Sequence, residues 1–361
     1  MRSRHGVGEH IEARIRRAWS GPPGGALQLA SAAYRAVTGA RNLLYDCGFF
    51  ACRRAPVPVV SVGGLTVGGS GKTPITADLA ARLGEAGVQT AILTHGFDDE
   101  MDVHRKLAPA ARVYGDRDRG SLSRRAAAEG AQIALLDSGF QHRRLHRDLD
   151  IVTLDEASTG GSLAPLPAGP FRERLEALTR ADLVVVVRRA PVGEEAFTRR
   201  CRDLAERGRS QLRELEEAPG APPFVTARIL PGPLLPANEP ARAFDQPRPT
   251  VAVAGIMWPE VFFAQVSPFA ASEHETVILR DHARIDASLG DRLRGMAGDS
   301  GIVCTLKDSM KLVRVLGDSV PVWYLSENVV WDEPGPMPTA VRASLALLDP
   351  RTFDSGESPA T

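Results

Sequence analysis

Residues 61–74 have the sequence SVGGLTVGGSGKTP and overlap the end of a β-branched, apolar run from Val57 to Val62. The residues from Thr73 to Ala86 then carry apolar side chains at helical spacing. This order predicts a glycine-rich loop between a buried strand and a helix. Glycines let backbone N–H groups converge on phosphate oxygens, and the helix N-terminus adds partial positive charge. The stretch therefore predicts a nucleotide-binding loop; the alternative is a glycine-rich turn that only joins a strand to a helix.

Two side chains of this loop have separate expected roles. Lys72 would reach the β- and γ-phosphates of ATP, and the hydroxyl of Thr73 would ligate Mg²⁺. Only four lysines occur among the 44 basic residues, and the planar guanidinium of arginine substitutes poorly for a compact ammonium. Thr66 stands where the strict pattern has its first glycine. The residues expected to contact the nucleotide are Thr66, Val67, Gly68, Gly69, Ser70, Gly71, Lys72 and Thr73.

The rest of the chain alternates short apolar runs with stretches at helical spacing, which predicts an α/β fold of the P-loop NTPase type. We expect a doubly wound, mostly parallel sheet and a second, smaller α/β lobe. The expected domains are an N-terminal basic helical segment (1–54), a P-loop kinase domain (55–218), a Pro-rich linker (219–249), the second lobe (250–348) and a disordered tail (349–361).

Charge is balanced overall but not locally. The 361 residues contain 44 basic and 44 acidic side chains, so no global field favours nucleic acid. Residues 1–54 hold nine arginines, no lysine and three acids. Apolar residues near helical spacing, from Leu27 to Leu44, make this segment a candidate for docking on an anionic membrane. A helix packed on the first lobe explains the spacing equally well, and no transmembrane span is predicted because residues 18–34 include two prolines and three glycines.

A second acidic motif follows downstream. Residues 133–137, with the sequence IALLD, predict a buried strand that ends in Asp137. A nucleotide site of this type needs a carboxylate at the end of a neighbouring strand to hold Mg²⁺ directly or through water. An aspartate there can also be a simple helix cap or turn former.

Several motifs together resemble the tetraacyldisaccharide 4'-kinase family of the lipid A pathway. They are SVGGLTVGGSGKTP, LLDSGFQHRRLHRDLDIVTLD, PLPAGPFRERL, VAVAGIMWPEVFF, the Asp281-His282 pair and TLKDSMKL, which extend the resemblance over about residues 25–335. The resemblance implies an ATP- and Mg²⁺-dependent kinase that phosphorylates the 4'-hydroxyl of an acylated disaccharide lipid. It also implies a peripheral location on the cytoplasmic face of the bacterial inner membrane, and we expect no nucleic-acid or obligate protein partner. The family also carries threonine at the position of Thr66.

The resemblance assigns roles to individual residues. Asp99, acting with His282 from the other predicted lobe, would take the hydroxyl proton, which requires closure of a cleft; Lys72 completes the catalytic set. The metal would be held by Thr73, Asp137 and Glu173. Contacts to substrate or phosphates would come from Glu100, Gln141, His142 and Arg172, and from one of Arg117 and Arg119. Without the family resemblance, Asp99 is more often an acid of a solvated loop, and His282 more often a structural or surface histidine.

Some positions depart from the family pattern. Ser138 replaces a second aspartate, Gly64 an asparagine and Leu306 a glutamate, and the loop after Gly96 is short. These changes cluster around the expected site. They leave open an alternative function: a nucleotide-binding homologue with weakened or altered activity that acts on another small molecule or as a regulatory protein.

Overall fold

The computed structural model describes residues 19, 24–189, 195–280, 284–333, 341–342 and 345, and for residues 195–202 the backbone alone. Their chain divides into two compact units. The larger contains the described residues of 21–188, 204–228 and 329–361, and the smaller those of 1–20, 189–203 and 229–328. His282 and the tail expected at 349–361 lie outside the described residues.

The larger unit is built on parallel strands. Their order across the sheet is β3-β2-β4-β1-β5-β6. The bounds are β1 Val59–Gly64, β2 Thr90–Thr94, β3 Arg112–Gly115, β4 Ile133–Asp137, β5 Leu149–Asp155 and β6 Leu183–Arg189. Every residue of β1, β2, β4 and β5 is buried, because helices and loops cover both faces of the sheet.

Helices connect these strands. They are α1 Gly25–Asp46, α2 Lys72–Glu85, α3 Asp98–Leu107, α4 Arg119–Ala128, the short α5 Glu156–Thr159, and α6 Glu195–Glu216, which begins in the smaller unit; a 3₁₀ turn spans Leu175–Arg180. The described smaller unit has parallel strands β8 Val251–Ala254, β9 Glu275–Ile278 and β10 Ile302–Cys304, with α7 Pro259–Val266, α8 Ala287–Ala297 and α9 Leu306–Leu316. Strands β7 Phe224–Pro236 and β11 Val322–Trp331 each have residues in both units.

The topology of the larger sheet places the phosphate loop. Strand β1 lies between β4 and β5, so the chain leaves β1 where the winding direction of the sheet reverses. In doubly wound sheets, ligands bind at this switch point, outside the carboxyl ends of the strands. The register pairs Val62 of β1 with Asp137 of β4. The loop after β1 and the acid that ends β4 are therefore neighbours.

The α/β fold class is confirmed. The predicted strand at Val57–Val62, the predicted helix at Thr73–Ala86 and the predicted strand at residues 133–137 lie within about two residues of β1, α2 and β4. The expectation that residues 219–249 form only a linker is wrong. Strand β7 occupies Phe224–Pro236, and its first half alternates partly exposed with buried residues such as Val225, Ala227 and Ile229. Prolines on both sides hide this period-2 pattern.

Candidate active site

The phosphate loop has the backbone geometry that its glycines predict. Gly68, Gly69 and Gly71 have φ values of +69°, +65° and +80°, in the left-handed region that favours glycine. Gly71 is also the N-cap of α2, and no side chain caps this helix. The first N–H groups of α2 are therefore available to an anion.

The PAGP segment holds the loop in place. The backbone N–H of Val67 donates to the carbonyl of Pro170 at 2.9 Å, and that of Arg172 donates to the carbonyl of Leu65 at 2.6 Å. Thr66 forms an antiparallel bridge with Phe171 between these two bonds. Two motifs about 100 residues apart in the sequence are thus one structural element, and this pairing was not foreseen from the sequence.

The inner side of the loop is tightly packed. Lys72 Nζ donates to Ser70 Oγ at 2.9 Å, and Thr153 Oγ1 on β5 lies 3.2 Å from the same oxygen. A Cβ atom on Gly64 would lie 2.6 Å from Ser70 Oγ. The departure at position 64 therefore matches the packing here, because an asparagine side chain would displace Ser70.

Asp137 is the centre of a buried polar cluster. Its Oδ2 atom accepts from Thr73 Oγ1 at 3.1 Å and lies 2.8 Å from Nε2 of His104, while Ser138 Oγ donates to Oδ1 at 3.3 Å. Burial by itself would raise the pKa of Asp137, but the hydrogen bonds from His104 and Thr73 and the charge of Lys72 hold that pKa below its usual value. Asp137 is therefore an ionised carboxylate beside the loop hydroxyl.

His104 is a site residue that the sequence analysis missed. It lies on α3, is fully buried, and contacts Asp137 although 33 residues separate them. Asp99 and Glu100 lie in the first turn of the same helix. Asp99 is 7% exposed and accepts a hydrogen bond from the backbone N–H of Glu100 at 3.1 Å, so it is not an acid of a solvated loop. His104 could be related to this turn only once the helix Asp98–Leu107 was known.

Arg119 is the most unusual charged group of the cluster. Its side chain is fully buried at the start of α4, and none of its guanidinium nitrogens has a hydrogen-bond partner among the described residues. Burial lowers its pKa, while the negative charges of Asp137 and Glu100 act in the opposite direction. An unpaired buried cation is costly unless a ligand completes it.

Two histidines near this arginine are held neutral. Burial together with the charges of Arg119 and Arg117 lowers the pKa of His95, which follows β2. Burial and the charge of Arg119 likewise lower the pKa of His142 to about 4. His142 was among the predicted site residues, whereas His95 was not. The positive field that depresses both histidines is the field that would attract phosphate.

Two further predicted site residues lie near the phosphate loop: Gln141, expected to contact substrate or phosphate, and Glu173, expected to hold the metal. Gln141 Nε2 donates to the carbonyl of Gly64 at 3.1 Å. Glu173 is 6% exposed, and its Oε2 atom accepts from Asn42 Nδ2 at 2.6 Å and from an Arg180 nitrogen at 2.9 Å. Its Oε1 atom accepts no hydrogen bond within the described part of the chain. The metal role of Glu173 and the pairing of Asp99 with His282 stay predictions.

Two features are absent from the described residues. No helix among them is both long and apolar enough to cross a bilayer. No group of three or more histidine, cysteine, aspartate or glutamate side chains in these ranges could hold a metal ion by itself.

Comparisons with known proteins show the family of the chain. A sequence profile of the LpxK family, tetraacyldisaccharide-1-P 4'-kinase, matches residues 25–116 and 103–346. A tetraacyldisaccharide 4'-kinase of Anaeromyxobacter dehalogenans (strain 2CP-C) is 35% identical over 320 residues, 80% of this chain and 81% of the relative. One of Hyphomonas neptunium is 32% identical over 315 residues, 82% of both chains.

A solved structure supports the same assignment. The crystal structure of "apo" form LpxK from Aquifex aeolicus in complex with ATP has a TM-score of 0.63 and 26% identity to this chain. The similarity covers 91% of this chain and 98% of that one. The chain belongs to the tetraacyldisaccharide-1-P 4'-kinase family.

Proposed function

We propose that the protein transfers the γ-phosphate of ATP to the 4'-hydroxyl of a tetraacyldisaccharide 1-phosphate. The observation that carries the proposal is the contact of Thr73 with the ionised Asp137, 3.1 Å apart, at the end of a loop with phosphate-binding geometry. Family membership supplies the acceptor. In the reaction, the bond from the γ-phosphorus to its bridging oxygen breaks, a bond to the 4'-oxygen forms, and the hydroxyl proton leaves.

The nucleotide would be held by the loop from Thr66 to Thr73. Its glycine conformations and the uncapped start of α2 suit the β-phosphate, and Lys72 would shift from Ser70 to the transferring phosphate. Phosphoryl transfer depends on alignment and on charge neutralisation rather than covalent chemistry. Holding this lysine close to the loop before ATP binds reduces the reorganisation needed in the transition state.

The donor set fits Mg²⁺. An ionised, buried carboxylate at Asp137 and the hydroxyl of Thr73 are hard oxygen ligands, and Mg²⁺ is usually held by one or two such groups together with substrate phosphates and water. Bound there, the ion would neutralise charge on the β- and γ-phosphates. His104 orients Asp137 from behind, so that the carboxylate keeps one position.

Phosphate charge would also be met by arginine. Of Arg117 and Arg119, we assign the role to Arg119, because its buried guanidinium lacks partners among the described residues and lies in the field of Asp137 and Glu100. Arg172 would contribute a second cation, since its charge acts on His95 beside Arg119. With both histidines neutral at pH 7, imidazole can donate or accept a hydrogen bond without adding charge.

The acceptor's proton would pass to Asp99. This carboxylate is nearly buried and lies in the same helical turn as Glu100, on the helix that orients Asp137 through His104. A carboxylate assisted by an imidazole is a common base, and His282 would supply that imidazole. Asp99→Ala and His282→Ala should each lower kcat with little change in ATP affinity.

Helix α1 would dock the protein on the cytoplasmic face of the inner membrane. Its polar and aromatic side face is buried or half-buried, from Ser31 to Tyr45, while Leu29, Val37 and Leu43 are 76%, 69% and 61% exposed. This outward-facing apolar stripe suits insertion into a lipid interface. Replacing these three residues with serine should abolish sedimentation with anionic vesicles, whereas unchanged sedimentation would contradict the role.

The decisive experiment is transfer of labelled γ-phosphate from ATP to tetraacyldisaccharide 1-phosphate. We expect transfer by the wild-type protein and a faster rate in Ser138→Asp. Ser138 has φ +58°, a conformation that aspartate tolerates, and its hydroxyl already contacts Asp137. ATP binding without transfer in either protein would favour the alternative of a nucleotide-binding homologue with a different role.

A further inference from the structure

Helix α1 contacts the rest of the larger unit mainly through polar side chains and leaves most of its apolar side chains exposed. Of its 22 residues only Ser31 is buried, so the helix is not held by an apolar core. Polar contacts hold it instead. Ser31 Oγ donates to the carbonyl of Pro165 at 2.8 Å, and an Arg41 nitrogen donates to the carbonyl of Gln141, also at 2.8 Å.

These contacts all end on segments of the candidate active site. Pro165 belongs to the segment that pairs with the phosphate loop, and Gln141 lies in the loop that follows Asp137. Arg143 in that loop donates back to the carbonyl of Asn42 at 3.1 Å and to Asp46 at 2.7 Å. Tyr45 lies under the guanidinium groups of both Arg41 and Arg143, 5.2 Å from each. Helix α1 is therefore joined by hydrogen bonds to the loops of the candidate site.

Asn42 makes the most specific of these contacts. Its Nδ2 atom donates to Glu173 Oε2 at 2.6 Å, across 131 residues of sequence, and Arg180 donates to the same oxygen. Arg180 is itself fixed, because its guanidinium stacks over Phe140 at 4.7 Å. Glu173 is thus clamped through one carboxylate oxygen, while the buried Oε1 atom accepts nothing among the described residues. A carboxylate fixed in this way presents one oxygen to a ligand in a single orientation.

We propose that Asn42 is a positioning residue for phosphoryl transfer, which acts by orienting Glu173 and couples the seating of α1 on the membrane to the catalytic site. The inference rests on the proposed function. The helix that meets the lipid with its apolar face holds an acidic site residue with its polar face. Anchoring the protein on a membrane would require only the apolar face of α1, so the contact of Asn42 with Glu173 needs a separate explanation.

The test replaces Asn42 without touching the exposed face. Asn42→Leu keeps the size of the side chain and loses the donor, and Asn42→Asp puts a like charge beside Glu173. Misplacement of a catalytic group by about 1 Å can cost about 100-fold in rate. We expect kcat toward tetraacyldisaccharide 1-phosphate in mixed micelles to fall about 10- to 100-fold, with no change in the KM for ATP or in sedimentation with anionic vesicles.

Thr38→Val is the matched control. Thr38 is half-buried on the same face of α1, and its hydroxyl donates to the carbonyls of Tyr34 and Arg35 in its own helix. This variant should keep the wild-type rate. A double-mutant cycle gives the sharpest result: in a Glu173→Gln background, which is itself slow, Asn42→Leu should add little further loss, because both changes act through one group.

Several results would overturn the inference. They are wild-type kcat in Asn42→Leu and Asn42→Asp, a loss of rate that parallels a loss of vesicle binding, fully additive losses in the cycle, and wild-type activity of Glu173→Gln. A wild-type protein inactive toward this acceptor would overturn the proposed function as well. An active wild type with an unaffected Asn42→Leu would overturn this inference alone.

Discussion

Two buried aspartates, one in each unit, have similar burial but different surroundings. Asp137 in the larger unit is 3% exposed, and Asp308 in the smaller unit is fully buried. Asp308 accepts from the backbone N–H of Gly255 and from Thr305 Oγ1, both at 2.7 Å, and lies 3.5 Å from Lys311 Nζ. Thr305 caps α9 by accepting from the backbone N–H of Asp308. These contacts fix the loop after β8 to the start of α9.

The partners of Asp137 are of another kind. They are the side chains of Thr73, His104 and Ser138, which come from three different segments, and Arg119 is nearby with no hydrogen-bond partner among the described residues. Hydrogen bonds from the backbone and a local cap stabilise a fold, whereas side-chain donors from separate segments beside a buried cation without a hydrogen-bond partner suit a ligand site. Burial by itself therefore does not distinguish the two roles, and the nature of the partners does.

Among changes in the Asp137 site, Lys72→Ala should produce the largest loss of kcat. Removing one preorganised charge contact to the transition state costs about 100- to 1,000-fold in kcat. The melting temperature should change little, because Lys72 is half-buried and its ammonium donates to the hydroxyl of Ser70 within the same loop. Labelled-phosphate transfer and thermal unfolding measure the two effects. Lys106→Ala, at an exposed lysine of α3, is the control; wild-type turnover of Lys72→Ala would refute the assignment.

Arg119→Met should separate stability from activity. Replacing a buried ion with an apolar side chain of similar volume can stabilise a protein by about 1 kcal/mol or more, so we expect a higher melting temperature without nucleotide. Loss of a phosphate contact should at the same time lower kcat by about 100-fold. A lower melting temperature with normal turnover would mean that Arg119 supports the fold and not the site.

Asp308→Asn should show the reverse behaviour. A hydrogen bond to a charged group contributes about 1.5–3 kcal/mol, so the free energy of unfolding should fall by about 2 kcal/mol. Turnover of the folded fraction should be unchanged. Asp137→Asn is the matched variant and should lose activity with a smaller change in stability. If chemical denaturation and kinetics gave both variants the same profile, the distinction between the two aspartates would fail.

The smallest expected effect at neutral pH comes from the protonation of His142, and this effect grows as the pH falls. The pKa of His142 is lowered from 6.5 to about 4 in the folded protein, so between these values the unfolded state binds more protons. The wild type should therefore lose stability as the pH falls from 6.5 towards 4. His142→Gln should lose less over this window, as seen in melting temperatures at each pH. Parallel curves for the two proteins would contradict a depressed pKa in the arginine field.

Features that depend on residues adjacent in the sequence were predictable from the sequence. A glycine-rich stretch between a β-branched run and a helical run is typical of a phosphate loop. The phosphate loop, the parallel α/β fold and the position of Asp137 beside the loop were therefore predictable from local pattern. Strand β7 escaped because prolines on both sides concealed a short alternation. His104 escaped because a single histidine on a helix carries no signal until the register of that helix is known.

The tertiary structure determined which distant residues contact one another in the site. Only the folded chain distinguishes Arg119 from Arg117, joins the PAGP segment to the phosphate loop, and brings Asn42 to Glu173 across 131 residues. The physical reason is the distance along the sequence over which each interaction acts. Backbone conformation and burial periodicity depend on neighbours within a few residues and are written in the sequence, whereas charge compensation and hydrogen bonding between distant segments depend on which surfaces pack together.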